Sequence, residues 1–141
     1  MEQVVSDASV VVKWFIQEEY SDEALKLRDM HVNGETCVAA PELLPFEVLN
    51  ALKYSHLFNL EELKTAAISL SSYGIELYPL KGELAQKTIE IAVKKNITVY
   101  DAAYIALAQE LNTILYTADE KLIRKTGKEY SKIVLHISQI H

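Results

Sequence analysis

Short apolar runs alternate along the chain with longer segments of helical pattern. Five of the runs predict β-strands, because each is four to eight residues long and is closed by polar residues, Gly or Pro. One or two segments with helical signals lie between each run and the next. Strands separated by helices form a parallel sheet that is covered on both faces. The pattern therefore predicts an α/β fold, with a central parallel sheet of about five strands between two helical layers. The predicted strands are "QVVSD", "TCVAA", "IELYPL", "TILYT" and "SKIVLHIS".

The helical segments carry recognisable start and stop signals. "SDEALKLRDMHVNG" has Ser21 as a predicted N-cap, acidic residues in its first turn and Gly34 as its stop. "NLEELKTAAISLSSYG" has Asn59 as its predicted cap. "ASVVVKWFIQEE" is ambiguous, because its valines favour a strand. Its length and the capping Asp before it favour a helix, which we predict.

The segment "NITVYDAAYIALAQEL" predicts a helix that is buried on every side. Between Ala102 and Ala108 it has only apolar or small residues, apart from a tyrosine, so it has no solvated face. Asp101 lies at its start, and Thr98 and Asp101 have the spacing of a capping box. A cap would explain this acid. A charge held against a buried helix also needs a cation or several hydrogen-bond donors.

Two further aspartates follow predicted strands. Asp7 comes directly after the first strand, and Asp119 follows "TILYT" after one alanine. Ligands of open parallel sheets bind beyond the carboxyl ends of the strands, so both residues lie where chemistry is expected. Each also begins a helix. Asp7 would serve as an N-cap there, and Thr117 with Glu120 has the spacing of a second capping box.

Glu47 is an acid inside a predicted helix, "PFEVLNALKY", at the edge of its apolar stripe. No Lys or Arg stands three or four residues away, although Asn50 shares its face and could hold the carboxylate by a hydrogen bond. If Asp7, Glu47, Asp101 and Asp119 gather without basic partners, they repel one another or bind cations. Carboxylate oxygens suit the hard cations Mg²⁺ and Mn²⁺.

Composition narrows the class of protein. The 141 residues predict one domain spanning 1–141, with a formal net charge of −6 that opposes non-specific binding to nucleic acid. A local basic cluster near the C-terminus is a candidate exception, although its charges alone favour a solvated helix face. Cys37 is the only cysteine, which excludes an internal disulfide. No signal peptide and no membrane-length apolar run is visible, so we expect a cytoplasmic protein without membrane contact. The basic cluster contains Lys121, Arg124, Lys125, Lys128 and Lys132.

Four motifs come in the order and approximate spacing of a PIN domain. They are "VVSDASVVVKWF", "PFEVLNAL", "TVYDAAYIALA" and "LYTADEKL". The chain most resembles the VapC-type toxin ribonucleases of toxin–antitoxin pairs, over nearly its whole length. This resemblance implies a PIN-like three-layer α/β/α sandwich that works as a metal-dependent endoribonuclease and leaves a 5′-phosphate and a 3′-hydroxyl. It also implies a cognate antitoxin and a homodimer as partners.

The resemblance further implies roles for seven residues. Four acids would bind Mg²⁺ or Mn²⁺ and carry catalysis, and three polar residues would support them. Independently of the resemblance, Lys13 or the basic cluster could contact RNA phosphates. The four acids are Asp7, Glu47, Asp101 and Asp119, and the three supporting residues are Ser9, Asn50 and Thr117.

Two other readings of the sequence stay open at this point. A PIN fold can hold RNA or a protein without cleaving it. A response-regulator receiver is another small α/β domain with Mg²⁺-binding acids at strand ends. A receiver has neighbouring acids near its first strand and a Lys after a late strand. In this sequence Asp7 has no acidic neighbour, and Asp119 stands near the position where that Lys would be.

Overall fold

The computed structural model describes residues 2–141 and contains five strands and seven α-helices in the predicted order. Three short 3₁₀-helices, at Val12–Trp14, Lys128–Tyr130 and Ile137–Gln139, complete the chain. The strands are β1 (Glu2–Ser6), β2 (Thr36–Pro41), β3 (Glu76–Tyr78), β4 (Leu115–Thr117) and β5 (Val134–His136). The helices are α1 (Ala8–Val11), α2 (Ser21–Val32), α3 (Leu44–Ser55), α4 (Leu60–Ser72), α5 (Gly82–Lys95), α6 (Val99–Glu110) and α7 (Glu120–Thr126).

All five strands form one parallel sheet in the order β3-β2-β1-β4-β5. This confirms the predicted α/β fold with a parallel sheet between helices. The strands β2 and β3 lie on one side of β1, and the later strands β4 and β5 lie on its other side. The crevice beyond the carboxyl ends of β1 and β4 is therefore the topological switch point, where such sheets bind their ligands.

The helix α6 is buried as its sequence predicts. Every residue from Ala102 to Ala108 is buried, and Ile105 and Leu107 are inaccessible to solvent. The helix packs against β1 and β2 on one side and against α5 on another. Its small residues, Ala102, Ala103 and Ala106, allow this close approach. Because packing encloses α6, its first turn has a fixed position above the sheet.

Two local predictions were wrong. The segment predicted as one helix from Ala8 to Glu19 stops being α-helical at Val11 and continues as a tighter 3₁₀ turn. Three successive valines are stiff in a helix, and burial of both Val10 and Trp14 stabilises the tighter path. Ser21 is not the N-cap of α2. That position belongs to Tyr20 in a left-handed conformation, while the buried Ser21 hydroxyl accepts a hydrogen bond from the Glu18 amide.

Other local predictions are confirmed. Asn59 caps α4 in a capping box with Glu62, and Thr98 caps α6 by accepting a hydrogen bond from the Asp101 amide. Among residues 2–141 we find no helix with the length and apolarity needed to cross a bilayer.

Truncation of Ile105 tests how far the fold depends on α6. We expect Ile105→Ala to lower the free energy of unfolding by about 2–5 kcal/mol, because it leaves a cavity in the centre of the core. Ile68→Ala makes the same chemical change on α4 at a side chain that is 68% exposed, and it should cost less than about 1 kcal/mol. Urea unfolding of both variants measures the difference, and equal losses would contradict the central role of α6.

Candidate functional site

The carboxyl ends of β1 and β4 bring two of the predicted acids to the switch point. Asp7 follows β1 directly, and its amide donates a hydrogen bond to the Tyr116 carbonyl of β4 at 3.2 Å. Asp119 follows β4 after Ala118. Residues that are more than one hundred positions apart in the chain therefore share one crevice.

Asp7 is a buried carboxylate held by two hydroxyl groups. Ser9 Oγ donates a hydrogen bond to Oδ1 and Thr117 Oγ1 donates one to Oδ2, each at 2.5 Å. The same hydroxyl oxygens accept from the backbone beyond β4: Ser9 Oγ from the Ala118 amide at 2.8 Å, and Thr117 Oγ1 from the Asp119 amide at 3.1 Å. The orientation of the Asp7 side chain is thus fixed from both strands.

The Asp7 carboxylate has no basic side chain as a partner in the part of the chain that the structure describes. Within residues 2–141 no Lys, Arg or His lies within ion-pair distance of its carboxylate, and only 8% of the residue is exposed. Burial raises the pKa of Asp7 from 3.8 to about 6, although the Ser9 and Thr117 hydrogen bonds act in the opposite direction. A buried anion without a counter-ion is costly. This residue is therefore a strong candidate for cation binding.

Glu47 points from α3 towards the same region and is held by a residue that the sequence did not single out. Tyr104, on the buried α6, donates its hydroxyl proton to Glu47 Oε1 at 2.6 Å. Burial raises the pKa of Glu47, and the hydrogen bond from Tyr104 partly offsets this rise. The charge of Asp101 also raises the pKa of Glu47. The only sequence signal for Tyr104 was a polar tip on an otherwise apolar helix.

Asp101 is half-buried in the first turn of α6. Asn96, at a positive φ of 52°, ends α5 and turns the chain so that Thr98 can cap α6. Burial raises the pKa of Asp101, and so does the negative charge of Asp119, whereas Lys125 lowers it. Asp101 therefore takes part in a real cap and also lies close to other acids. The two interpretations left open by the sequence are compatible.

Asp119 is exposed and is the N-cap of α7. Its Oδ1 accepts hydrogen bonds from the Lys121 and Leu122 amides at 3.0 and 3.1 Å. The predicted capping box between Thr117 and Glu120 is therefore wrong. Thr117 lies two residues before the N-cap Asp119, at the end of β4, and its buried hydroxyl donates a hydrogen bond to Asp7 instead.

Asn50 does not take the place expected for it. It is exposed on α3 and lines an apolar depression with Phe46 and Leu49, and no hydrogen bond joins it to Glu47 within the described part of the chain. Lys13 is buried, and its ammonium group forms an ion pair with Glu18 at 3.0 Å, so it does not offer a free charge to an RNA phosphate. The spacing of three residues placed Glu47 and Asn50 on the same side of the helix. In the structure Glu47 is partly buried and bonded to Tyr104, whereas Asn50 is exposed to solvent.

The donor set matches a hard divalent cation in chemistry, but its side chains do not form a preassembled shell. Asp7, Glu47 and Asp101 all have raised pKa values, and none of the four acids has an ion-pair partner in residues 2–141. Over the same residues no three Asp, Glu, His or Cys side chains are arranged as a ready metal-binding group. Mg²⁺ commonly keeps several waters and takes only one or two carboxylates directly, so an incomplete protein shell is compatible with its binding.

Replacement of Asp7 tests the cost of its burial. The folded pKa of about 6 lies above the unfolded value of 3.8, so the folded state holds this proton more tightly. Without metal, stability should therefore fall as pH rises from about 4 to about 6 and stay lower above that, by about 3 kcal/mol. Asp7→Asn should lack this loss and unfold at a higher urea concentration than the parent at about pH 7.5.

The measurement is urea unfolding in EDTA over this pH range, with Asp29→Asn as the control at an exposed carboxylate. The difference in stability between the parent and Asp7→Asn should grow with pH. If that difference is the same at low and neutral pH, the carboxylate of Asp7 is not destabilised by burial.

Removal of the Tyr104 hydroxyl tests its hold on Glu47. In Tyr104→Phe the burial of Glu47 is no longer offset by this hydrogen bond, so the pKa of Glu47 should rise further. We also expect a loss of about 1 kcal/mol in the free energy of unfolding. Tyr54→Phe, at an exposed tyrosine on α3, is the matched control. Carboxyl carbon chemical shifts followed by NMR against pH give the pKa. An unchanged Glu47 titration in Tyr104→Phe would contradict the assigned hydrogen bond.

Comparison with known proteins identifies the family. The PIN domain family model matches residues 4–128. The chain is 35% identical to Ribonuclease VapC1 of Mycobacterium tuberculosis over 130 residues, which cover 90% of this chain and 93% of that protein. It is 28% identical to Ribonuclease VapC3 of Pyrobaculum aerophilum over 135 residues, covering 87% and 94% of the two chains. A toxin–antitoxin complex from Klebsiella pneumoniae has the same fold, with a TM-score of 0.64, 15% identity and coverage of 97% and 99%. The chain therefore belongs to the PIN-domain family, in which its relatives include VapC ribonucleases.

Proposed function

We propose that this protein is a metal-dependent endoribonuclease that hydrolyses RNA phosphodiester bonds, and that it is the toxin of a VapBC-type toxin–antitoxin pair. The observation that carries this proposal is the buried carboxylate of Asp7, which has no Lys, Arg or His partner within residues 2–141. Glu47, Asp101 and Asp119 are close enough for several of these charges to influence one another. The ribonucleases VapC1 and VapC3, which match most of the chain, support the choice of RNA.

The proposed cofactor is Mg²⁺ or Mn²⁺. Asp7, Asp101 and Asp119 would hold it, and Glu47 would lie near a second ion or its water shell. A divalent cation supplies a water nucleophile at neutral pH and offsets the negative charge of the phosphate. The raised pKa values of Asp7, Glu47 and Asp101 support this assignment, because a nearby cation would stabilise the ionised form of each.

The protein's own residues would orient the reaction. Ser9 and Thr117 keep the Asp7 carboxylate in one orientation, and Tyr104 holds Glu47 by Oε1. The other oxygen, Oε2, accepts no hydrogen bond within residues 2–141 and would take the proton of the attacking water. Attack at phosphorus in line with the leaving 3′-oxygen would break the P–O3′ bond. The leaving oxygen would take a proton from solvent, which gives a 5′-phosphate and a 3′-hydroxyl.

The proposed partners are a cognate antitoxin and a second copy of the chain, with RNA as the substrate in the cytoplasm. Large apolar side chains that are 62–79% exposed on α3 and α5 support contact with other protein surfaces. Phe46, Tyr54 and Val93 are the clearest of these. The toxin–antitoxin complex among the structural relatives makes an antitoxin a reasonable occupant for part of this surface.

Asp101→Asn tests the enzyme. We expect the fold to be nearly intact or slightly stabilised, because a repelling charge is removed, while Mn²⁺-dependent cleavage falls by about 100-fold or more. The measurement is cleavage of labelled RNA by purified protein with added Mn²⁺, together with urea unfolding. Asp29→Asn, at an exposed carboxylate outside the site, is the control and should cleave like the parent.

Two results would overturn this proposal in different ways. Retained cleavage together with a large loss of stability would give the Asp101 carboxylate a structural role only, because the variant keeps the backbone amide that Thr98 caps. A parent protein that binds RNA but does not cleave it with either metal would be a non-catalytic binding module.

A further inference from the structure

An open cavity of about 520 Å³ adjoins two of the proposed metal ligands. It lies between the start of α6 and one face of α7, and its volume falls in the range of about 300–1,000 Å³ that is usual for small-ligand sites. Asp101 and Asp119 line it, but Asp7 and Glu47 do not. The cavity therefore extends away from the proposed centre along α7, and the reaction as described above leaves it without a role.

Two lysines supply the positive charge of this cavity. Lys121 and Lys125 are four residues apart, so α7 presents both on the same face. Both are exposed, and no carboxylate in residues 2–141 lies within ion-pair distance of either ammonium group. Lys125 is nevertheless near enough to Asp101 to lower the pKa of its carboxyl group.

Other basic residues in the described part of the chain are paired with acids or do not line this cavity. Lys94 and Lys95, on α5, share Glu129 at 2.7 and 2.9 Å, and the buried Lys13 is paired with Glu18. Lys128 lines a different depression, beside Gly127 and His136. The basic cluster seen in the sequence is therefore divided by the fold. Only two of its members, Lys121 and Lys125, line the cavity beside the acids.

The rest of the lining suits a nucleotide. Ile97, which is partly exposed whereas Leu122 is buried, gives an apolar side chain against which a base or ribose can pack, and Asn96 and Thr98 add polar groups. An RNA strand has its negative charge on phosphates, and an ammonium group is a good point-charge partner for them. In a protein with a net charge of −6, two unpaired lysines next to the proposed centre are the local means to attract this polyanion.

We propose that the cavity between α6 and α7 is a subsite for one unpaired nucleotide of the RNA substrate next to the bond that is cut, and that Lys121 and Lys125 contact its flanking phosphates. This inference rests on the proposed ribonuclease function and adds to it a defined path for the RNA. The strand leaves the carboxylates along α7. Only a base that is splayed out of a helix could enter the cavity and pack on its apolar wall, so the proposal takes the substrate at this point as single-stranded.

The experiment compares two double variants with the same charge. Lys121→Gln with Lys125→Gln changes the cavity, and Lys128→Gln with Lys132→Gln changes the same number of charges outside it. The cap of α7 is kept in both, because Asp119 accepts from the backbone amide of Lys121 rather than from its side chain. Both pairs are made in the otherwise unchanged chain and on an Asp7→Asn background, which is expected to leave RNA uncut in the presence of Mg²⁺.

Binding of a labelled single-stranded RNA is followed by fluorescence anisotropy at several KCl concentrations on the Asp7→Asn background. We expect the cavity pair to weaken binding about tenfold at low salt. It should also reduce the slope of log K against log[salt] by about 1.4, or about 0.7 for each lost phosphate contact on a single strand. The control pair should change the slope by much less. In the active protein with Mn²⁺, the cavity pair should raise KM for RNA with little change in kcat.

The outcomes separate this inference from the proposed function. If both pairs weaken binding equally, net charge and not the cavity is responsible, and the inference is overturned. If the cavity pair changes neither KM nor the salt slope while the parent cleaves RNA, the subsite is wrong and the ribonuclease stands. A parent that neither binds nor cleaves RNA overturns both. Preferential binding of duplex RNA that the cavity pair weakens would overturn the single-stranded assignment.

Discussion

The candidate site depends on one electrostatic constraint. The Asp7 carboxylate is buried at the junction of β1 and β4, and no basic side chain of residues 2–141 forms an ion pair with it. Two hydroxyl groups hold its oxygens, and the same hydroxyl oxygens bind the backbone that leads to Asp119. Hydrogen bonds from neutral groups reduce the cost of the buried charge but do not remove it, and the pKa of Asp7 stays near 6. The energetically unfavourable charge of Asp7 therefore lies at the edge of the sheet where parallel sheets bind ligands.

The buried helix α6 extends this constraint to the other acids. Its first turn carries Asp101, and one turn later Tyr104 reaches across to Glu47 on α3. A helix enclosed by packing has little freedom to shift, so these side chains are held more rigidly than loop residues would be. The apolar character of α6 and the position of the acids are therefore two aspects of one arrangement.

Acidic and basic side chains occupy different parts of the region around the candidate site. Acids without partners gather beyond β1 and β4, while several lysines nearby are neutralised by Glu129 or Glu18. On α7 two lysines remain unpaired next to the acids. An acidic protein that handles a polyanion needs such local compensation, since its overall field repels the substrate. In our proposals a cation compensates at the acids and α7 compensates along the strand.

The sequence by itself determined the order of strands and helices, the parallel sheet, the burial of α6 and the caps at Asn59 and Thr98. These features follow from periodicity and from contacts within a few residues, which a single chain segment displays. It also marked Asp7, Glu47, Asp101 and Asp119 as acids without basic neighbours. The tertiary structure decided which groups support them. Thr117, for which the resemblance implied a supporting role but no partner, binds Asp7 and does not cap α7. Tyr104 takes the place expected of Asn50, and only Lys121 and Lys125 of the basic cluster line the cavity. Those choices depend on contacts between residues far apart in the chain, which spacing along the sequence does not encode.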